Sequence, residues 1–269
     1  VQHIEDAVGH DQRPGQPGQP MPQLLAIAES AHKLIAEHHR VFAEVSALLR
    51  EQADVHIVSA NQLTPEQMAH AREHFLGGIF PALTPLAVDP AHPFPYISNT
   101  SLNLAVVVRD PSTGDERFAR VKVPPLLQRF IPLADGTRFV TLEDVIAAHL
   151  DTLFPGMVIV SHHAFRVTRD VEIELSDDSE DLLQAIELVL QRQTKFGRAV
   201  RVEVDASTPD AIVELLVDEL EIAPHDVYRI DVPLDLTGLF ELAALPRPDL
   251  HFPDYERQVP VEFRRDGHA

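Results

Sequence analysis

The sequence contains no cysteine among its 269 residues. Disulfide bonds and thiolate metal sites are therefore excluded. No apolar run approaches the roughly 18 residues that a membrane-spanning helix requires, so we expect no membrane span. These absences fit a cytoplasmic protein, while peripheral association with a membrane stays open.

Basic residues are also scarce. The chain has 22 Lys and Arg against 42 Asp and Glu, which gives a formal net charge of −20. Such a surface repels polyanions at long range, so we expect no nucleic-acid partner. Any other polyanionic substrate would meet the same repulsion and would need a local basic path.

The first part of the chain predicts a loop followed by a long helix. Residues 9–22, GHDQRPGQPGQPMP, have the Gly, Pro and Gln content of a mobile loop. From 23 to 52 apolar residues recur at helical spacing, which predicts an amphipathic helix. One helix cannot bury such a stripe alone. We therefore expect it to pack on the next domain, on a second chain or on further helices.

Beyond residue 54, short helical and strand patterns alternate irregularly, and several strand pairs are joined by short turns. This favours an α+β fold with a mixed sheet and flanking helices. The predicted strands are 55–58, 102–109, 118–123, a short one at 139–140, then 157–160, 164–169, 199–205 and 227–230. The predicted helices are 65–76, ended by Gly77 and Gly78, then 141–154, 179–193, 209–220 and 236–243. Thr64, Pro65 and Gln67 form the capping box of the first of these helices.

The fifteen histidines do not form a recognisable metal site. His70 and His74 are four residues apart on a predicted helix, but no third ligand stands at a metal-binding spacing. His162 and His163 are adjacent in a strand, where neighbouring side chains point to opposite faces. We interpret these histidines as structural or solvated and predict no metal ligand in this chain. A phosphate-binding G-x-x-x-x-G-K-[ST] loop is absent as well.

Six segments carry a resemblance to a known family. They are IFPALTPLAVDPAHPFPYISNTSLNLA at 79–105, FARVKVP at 118–124, LEDVI at 142–146, LFPGM at 153–157, FRVTRD at 165–170 and DVYRIDVPLDLTGLFEL at 226–242. In this order they resemble the bacterial polyphosphate kinases that work through a phosphohistidine. The Trp-containing signature and the Asn-Leu-Asp-Glu-Phe stretch of that family's opening helices are missing, since the chain has no tryptophan.

The resemblance implies a part of a longer enzyme. Residues 1–53 would be the remnant of an N-terminal helical domain, 54–246 the head domain, and 247–269 a linker toward missing catalytic domains. The first residue is Val, so we expect a chain trimmed at its start. The whole enzyme would use ATP, polyphosphate, magnesium and a histidine nucleophile, and would form a homo-oligomer. No catalytic residue is expected in this chain, which would be inactive alone and would serve as scaffold and dimerisation part.

Two basic groups remain as candidates for phosphate contact. Arg166 and Arg169 lie within FRVTRD, while Arg192, Lys195, Arg198 and Arg201 form the second group. Either could meet phosphate, or could pair with the acidic run at 170–181. We select Arg166 and Arg169, because they lie inside a matched motif. The alternative to an enzyme part is a stand-alone interaction module that has the head fold without the kinase domains.

Overall fold

A computed structural model of the chain describes residues 21–88, 94–170 and 197–252. It begins with helix α1, Met21–Ala53, which confirms the predicted amphipathic helix. The predicted loop 9–22 lies outside the described residues except for its last two, which begin α1. The helix predicted at 179–193, the acidic run 171–181 and most of the linker, 253–269, also lie outside them.

Helix α1 divides its apolar residues between two faces. Ala31 and Ile35 pack against the main core, and Leu49 packs beside buried Ala53 in a smaller cluster. A second row remains exposed at seven-residue intervals: Ile27, Leu34, Val41 and Leu48. Leu34 is 72% exposed. We call this second row the α1 stripe.

Two sheets form the rest of the domain. The larger sheet has the strand order β2-β4-β3-β7-β8-β9, and only its β8–β9 pair is parallel. The smaller sheet has the order β1-β6-β5, with a parallel β1–β6 pair. The strands are β1 His56–Val58, β2 Leu86–Ala87, β3 Leu102–Arg109, β4 Glu116–Lys122, β5 Phe130–Pro132, β6 Arg138–Thr141, β7 Val158–Arg169, β8 Ala199–Asp205 and β9 Val227–Ile230. The predicted α+β class with mixed sheets is confirmed.

Five shorter helices lie between these strands or after the last of them in the described part of the chain. They are α2 Pro65–His74, α3 Leu142–Ala147, α4 Leu150–Leu153, α5 Asp210–Leu220 and α6 Leu239–Ala243. One face of the larger sheet packs Leu104, Val106 and Val121 against α3 and α4. The other face packs Phe165 and Val204 against α5. Strand β3 is buried on both faces, so it forms the centre of the fold.

The helix that begins at Pro65 ends later than predicted. Its capping box is confirmed, with the Thr64 hydroxyl accepting from the Gln67 amide. Gly77 and Gly78 do not end it, because the backbone continues through a π-turn at Phe75–Ile79 and a 3-10 turn at Phe80–Ala82. Phe80 precedes a proline and still has helical φ and ψ of −51° and −45°, contrary to the extended geometry expected there. The buried side chains of Phe75 and Ile79 hold this continuation on the core.

Two other predicted boundaries are wrong. The helix predicted at 141–154 is interrupted at His149, whose φ and ψ are −125° and 23°. There the buried His149 ring stacks on Phe75 with 4.7 Å between centroids, and its Nδ1 lies 2.8 Å from the Val145 carbonyl oxygen. The strands predicted at 157–160 and 164–169 are one strand, because pairing with β3 continues through His162 and His163.

Candidate functional site

Arg166 lies on β7 next to a buried carboxylate. Its Nη1 is 3.1 Å from Glu203 Oε2, and its Nε donates to the Thr100 carbonyl oxygen at 3.0 Å. Glu203 on β8 is only 6% exposed, and it also accepts from Arg201. The guanidinium of Arg201 in turn lies 4.6 Å from the centre of the Tyr228 ring. The charge of Arg166 is therefore compensated inside the domain.

Arg169 binds the segment that enters β3. Its Nε donates to the Ile97 carbonyl oxygen at 2.7 Å and its Nη1 to the Gly197 carbonyl oxygen at 2.8 Å. Its guanidinium also lies 4.5 Å from the centre of the Tyr96 ring. The backbone N–H of Arg169 donates to Asn99 Oδ1 at 2.9 Å. These contacts show that Arg169 stabilises the segment before β3. Its contact with phosphate stays a prediction.

The second predicted basic group is described only in part. Arg192 and Lys195 lie outside the described residues. Arg201 is bound to Glu203 as above. Arg198 is exposed, and its carbonyl oxygen accepts from the Asp170 backbone N–H at 3.0 Å. The structure does not bring Arg166 and Arg169 to a common partner, because Arg166 reaches Glu203 while Arg169 reaches backbone carbonyls.

A different basic residue lies almost buried on β4. Arg120 is 7% exposed, and its Nε donates to Asn103 Oδ1 at 2.7 Å. Asn103 is fully buried on β3 and donates from Nδ2 to the Ser101 carbonyl oxygen and hydroxyl at 2.8 and 3.1 Å. Burial lowers the pKa of Arg120 because it disfavours the charged form.

Lys122 joins the same set of contacts two residues further along β4. Its Nζ donates to the Ser98 hydroxyl at 2.9 Å, and the Ser101 hydroxyl donates to the Ser98 carbonyl oxygen at 2.8 Å. Thr100, between the two serines, has a positive φ of 54°, so the chain turns sharply here. We call Ser98, Ser101, Asn103, Arg120 and Lys122 the Ser-Asn-Arg network. Its two cations contact neutral oxygen atoms.

A cleft of about 540 Å³ opens on another side of the domain, between the α3–α4 junction and the start of β7. Its lining includes Asp151, His162 and His163. Burial lowers the pKa of both histidines, and His163 Nε2 has no hydrogen-bond partner among the described residues. The cleft therefore favours neutral imidazole rings.

Among residues 21–88, 94–170 and 197–252, no three His, Asp or Glu side chains are arranged to hold a metal ion. His70 and His74 contact each other edge to face, with centroids 5.2 Å apart. In the same part of the chain, no helix is long and apolar enough to span a membrane.

The last of the six motifs is fixed to the domain by hydrogen bonds from Arg129, which also forms a buried ion pair with Glu143. Arg129 Nε donates to Glu143 Oε2 at 2.8 Å, and its Nη1 donates to the Asp235 carbonyl oxygen at 2.7 Å. The side chains of Arg129 and Glu143 are 8% and 10% exposed. Glu241 accepts from the backbone N–H groups of Arg129 and Phe130 at 2.9 Å. These contacts join the start of β5 to α3, to α6 and to the segment before α6.

The strand order and the packing of the helices define an α+β domain with two mixed sheets. Comparison with known proteins agrees. The family model described as the polyphosphate kinase middle domain matches residues 66–242. A polyphosphate kinase from Streptomyces coelicolor is 49% identical over 238 residues, which is 88% of this chain and 32% of the relative. One from Thermosynechococcus vestitus is 42% identical over 98% of this chain and 37% of the relative.

The fold comparison gives the same family. The crystal structure of polyphosphate kinase from Porphyromonas gingivalis matches with a TM-score of 0.65 at 25% identity, over 88% of this chain and 34% of that chain. The chain belongs to the polyphosphate kinase family. It spans about a third of the length of these relatives and contains the family's middle domain.

The Ser-Asn-Arg network was missed by sequence reasoning, although its residues lie inside two matched motifs. The signal was available in FARVKVP, where Arg120 and Lys122 stand two apart between the buried residues Ala119, Val121 and Val123. Two basic side chains on one face of a mostly buried strand are expected to have a bound partner or a ligand. Only the tertiary contacts distinguish Arg120 from an ion-paired arginine.

Proposed function

We propose that this chain is the head part of a polyphosphate kinase that reversibly transfers the terminal phosphate of ATP to inorganic polyphosphate. The observation that carries the proposal is the match of the middle-domain family over residues 66–242, together with relatives at 42–49% identity. The phosphorylated histidine and the magnesium site belong to other parts of the whole protein. None of the fifteen histidines in this chain is assigned the nucleophile.

The task of this part is scaffolding and contact with a second copy. The buried pair Arg129–Glu143 and the partly buried pair Arg166–Glu203 support a rigid scaffold, since each joins separate elements of the domain. Phosphoryl transfer depends mainly on positioning and on stabilisation of charge. A domain of this kind contributes by holding other groups in place. A homo-oligomer and a cytoplasmic location complete the proposal.

A stand-alone interaction module is the second candidate. The exposed α1 stripe favours it, because a half-exposed apolar row suits contact with another protein. The reading frame beyond Ala269 distinguishes the two candidates: continuation into histidine-bearing domains supports the kinase, and a stop codon supports the module.

The activity itself is tested with the whole protein. Purified protein is incubated with ATP and Mg²⁺, and polymer is measured; ADP with polyphosphate is tested for ATP formation. We expect both reactions from the whole protein and neither from the 269-residue chain. Absence of both reactions in the whole, folded protein would refute the proposed activity.

A further inference from the structure

We propose that the Ser-Asn-Arg network binds a phosphoanhydride chain, as found in inorganic polyphosphate and in the tail of a nucleoside triphosphate. The proposal rests on the proposed function for the choice of ligand. Its structural basis is a cationic site built from Arg120, Lys122 and the hydroxyl groups of the turn that contains Ser98 and Ser101.

Arg120 lacks a counter-charge among the described residues. Among the described residues, its only hydrogen-bond partner is the neutral Asn103 amide, and no carboxylate lies within ion-pair distance. Acidic residues outnumber basic ones by 42 to 22, so an acidic partner is the expected situation. Eight other described arginines have one: Arg40, Arg109, Arg129, Arg138, Arg166, Arg201, Arg229 and Arg247.

Arg120 is also almost completely buried. A charged group removed from water without compensation is costly, and proteins bury such groups chiefly in pairs or at ligands. Arg120 is 93% buried, since 7% of it is exposed. The described buried side-chain nitrogens without a partner belong to His163, Arg201 and His225 and not to Arg120. Since neither Nη atom has a described partner, neither is completely enclosed, and their pair of donors matches two phosphate oxygens.

Further hydrogen-bond donors lie beside Arg120. Lys122 lies on the same face of β4, about 7 Å further along at the usual rise per residue. Asn103 is its cross-strand partner and binds Arg120, so the amide lies between the two cations. A row of cations two residues apart suits the repeated charges of a phosphoanhydride chain better than a single carboxylate.

The predicted arginines serve this site indirectly. Arg166 donates to the Thr100 carbonyl oxygen and Arg169 to the Ile97 carbonyl oxygen, on the segment that carries Ser98 and Ser101. They hold the turn in place, and their positive charges add to the field around it. They are positioning residues in this proposal.

Binding of tripolyphosphate to the 269-residue chain is measured by calorimetry in about 0.15 M salt. Binding of ATP and of sulfate is measured separately under the same conditions. Arg120→Gln should weaken tripolyphosphate binding at least tenfold, and Lys122→Gln severalfold. The matched control is Arg117→Gln, an exposed arginine on the same strand, which should change affinity less than twofold. Tighter binding of tripolyphosphate than of ATP identifies the polymer as the ligand; the reverse order identifies the nucleotide tail.

Thermal unfolding separates binding from a purely structural role. A ligand that binds only the folded chain raises its melting temperature. Tripolyphosphate should do this for the wild type and Arg117→Gln but not for Arg120→Gln, whose own melting temperature should equal or exceed that of the wild type. The proposal is overturned if the wild type binds no tripolyphosphate, or if Arg117→Gln and Arg120→Gln lose affinity equally. This outcome is independent of the polymer assay on the whole protein.

Discussion

The buried ion pair between Arg129 and Glu143 provides the sharpest test of how the head domain is held together. Replacing Glu143 with Gln keeps the shape of the side chain but removes the charge opposite Arg129. Arg129 is then left as a cation whose side chain is only 8% exposed, with Asp235 Oδ2 at 3.5 Å as the remaining carboxylate. Loss of one partner of a buried pair costs about 3–5 kcal/mol. Because Asp235 partly compensates, we expect about 3 kcal/mol.

The matched control is Glu116→Gln, which breaks the pair with Arg109. The side chains of that pair are 48% and 45% exposed, and exposed pairs contribute about 0–1 kcal/mol. Urea unfolding followed by circular dichroism gives the free energy of unfolding of both variants at pH 7. Equal losses in the two variants, or a loss below about 1 kcal/mol for Glu143→Gln, would show that the buried pair does not hold β5, α3 and the C-terminal motif together.

Three further perturbations follow from the structure. Burial, and then the negative charge of Glu143, raise the pKa of Asp144 to about 6. The folded state therefore holds this proton more tightly than the unfolded state, and the contribution of Asp144 to stability falls as pH rises from about 4 to 6. Asp144→Asn should stabilise the chain by about 1–2 kcal/mol at pH 7 and by much less at pH 4, measured by urea unfolding. The double substitution Leu34→Glu with Val41→Glu changes two residues of the exposed α1 stripe. It should shift the sedimentation profile toward monomer with little loss of stability. An unchanged profile would show that the stripe makes no contact between copies. Phe94 is partly buried and stacks on Phe118 with centroids 5.5 Å apart. Phe94→Ala should therefore lower the free energy of unfolding by about 2 kcal/mol, less than for a fully buried aromatic, and should leave the Michaelis constant of the whole protein for ATP unchanged. A severalfold rise in that constant with intact stability would place the segment in the substrate path.

The central elements of the fold were predictable because they carry strong local signals. Strand β3 was placed at its observed bounds, and the Thr64 capping box specified the start of α2. Strands β2 and β5 were missed because each is only two or three residues long and either follows or contains a proline, which is untypical of strand interiors. The continuity of β7 was missed because His162 and His163 interrupt its apolar pattern, while the pairing that carries the strand through them is tertiary.

The candidate site was harder to predict than the fold. A sequence shows where arginines stand but not which of them meet a carboxylate. Arg166 and Arg169 were selected because they lie in a matched motif. In the fold, however, Arg166 binds Glu203 and Arg169 binds the Ile97 carbonyl oxygen, and both partners are distant in sequence. Arg120 differs from them only through what surrounds it after folding.

The assignment of this chain as a non-catalytic head is tested most directly by locating the phosphohistidine. The whole protein and the 269-residue chain are each incubated with γ-labelled ATP and Mg²⁺, and acid-labile phosphate is mapped by peptide analysis. We predict label on the whole protein, at a histidine outside these 269 residues, and none on the isolated chain. Stoichiometric phosphohistidine on any of the fifteen histidines of this sequence would contradict the account.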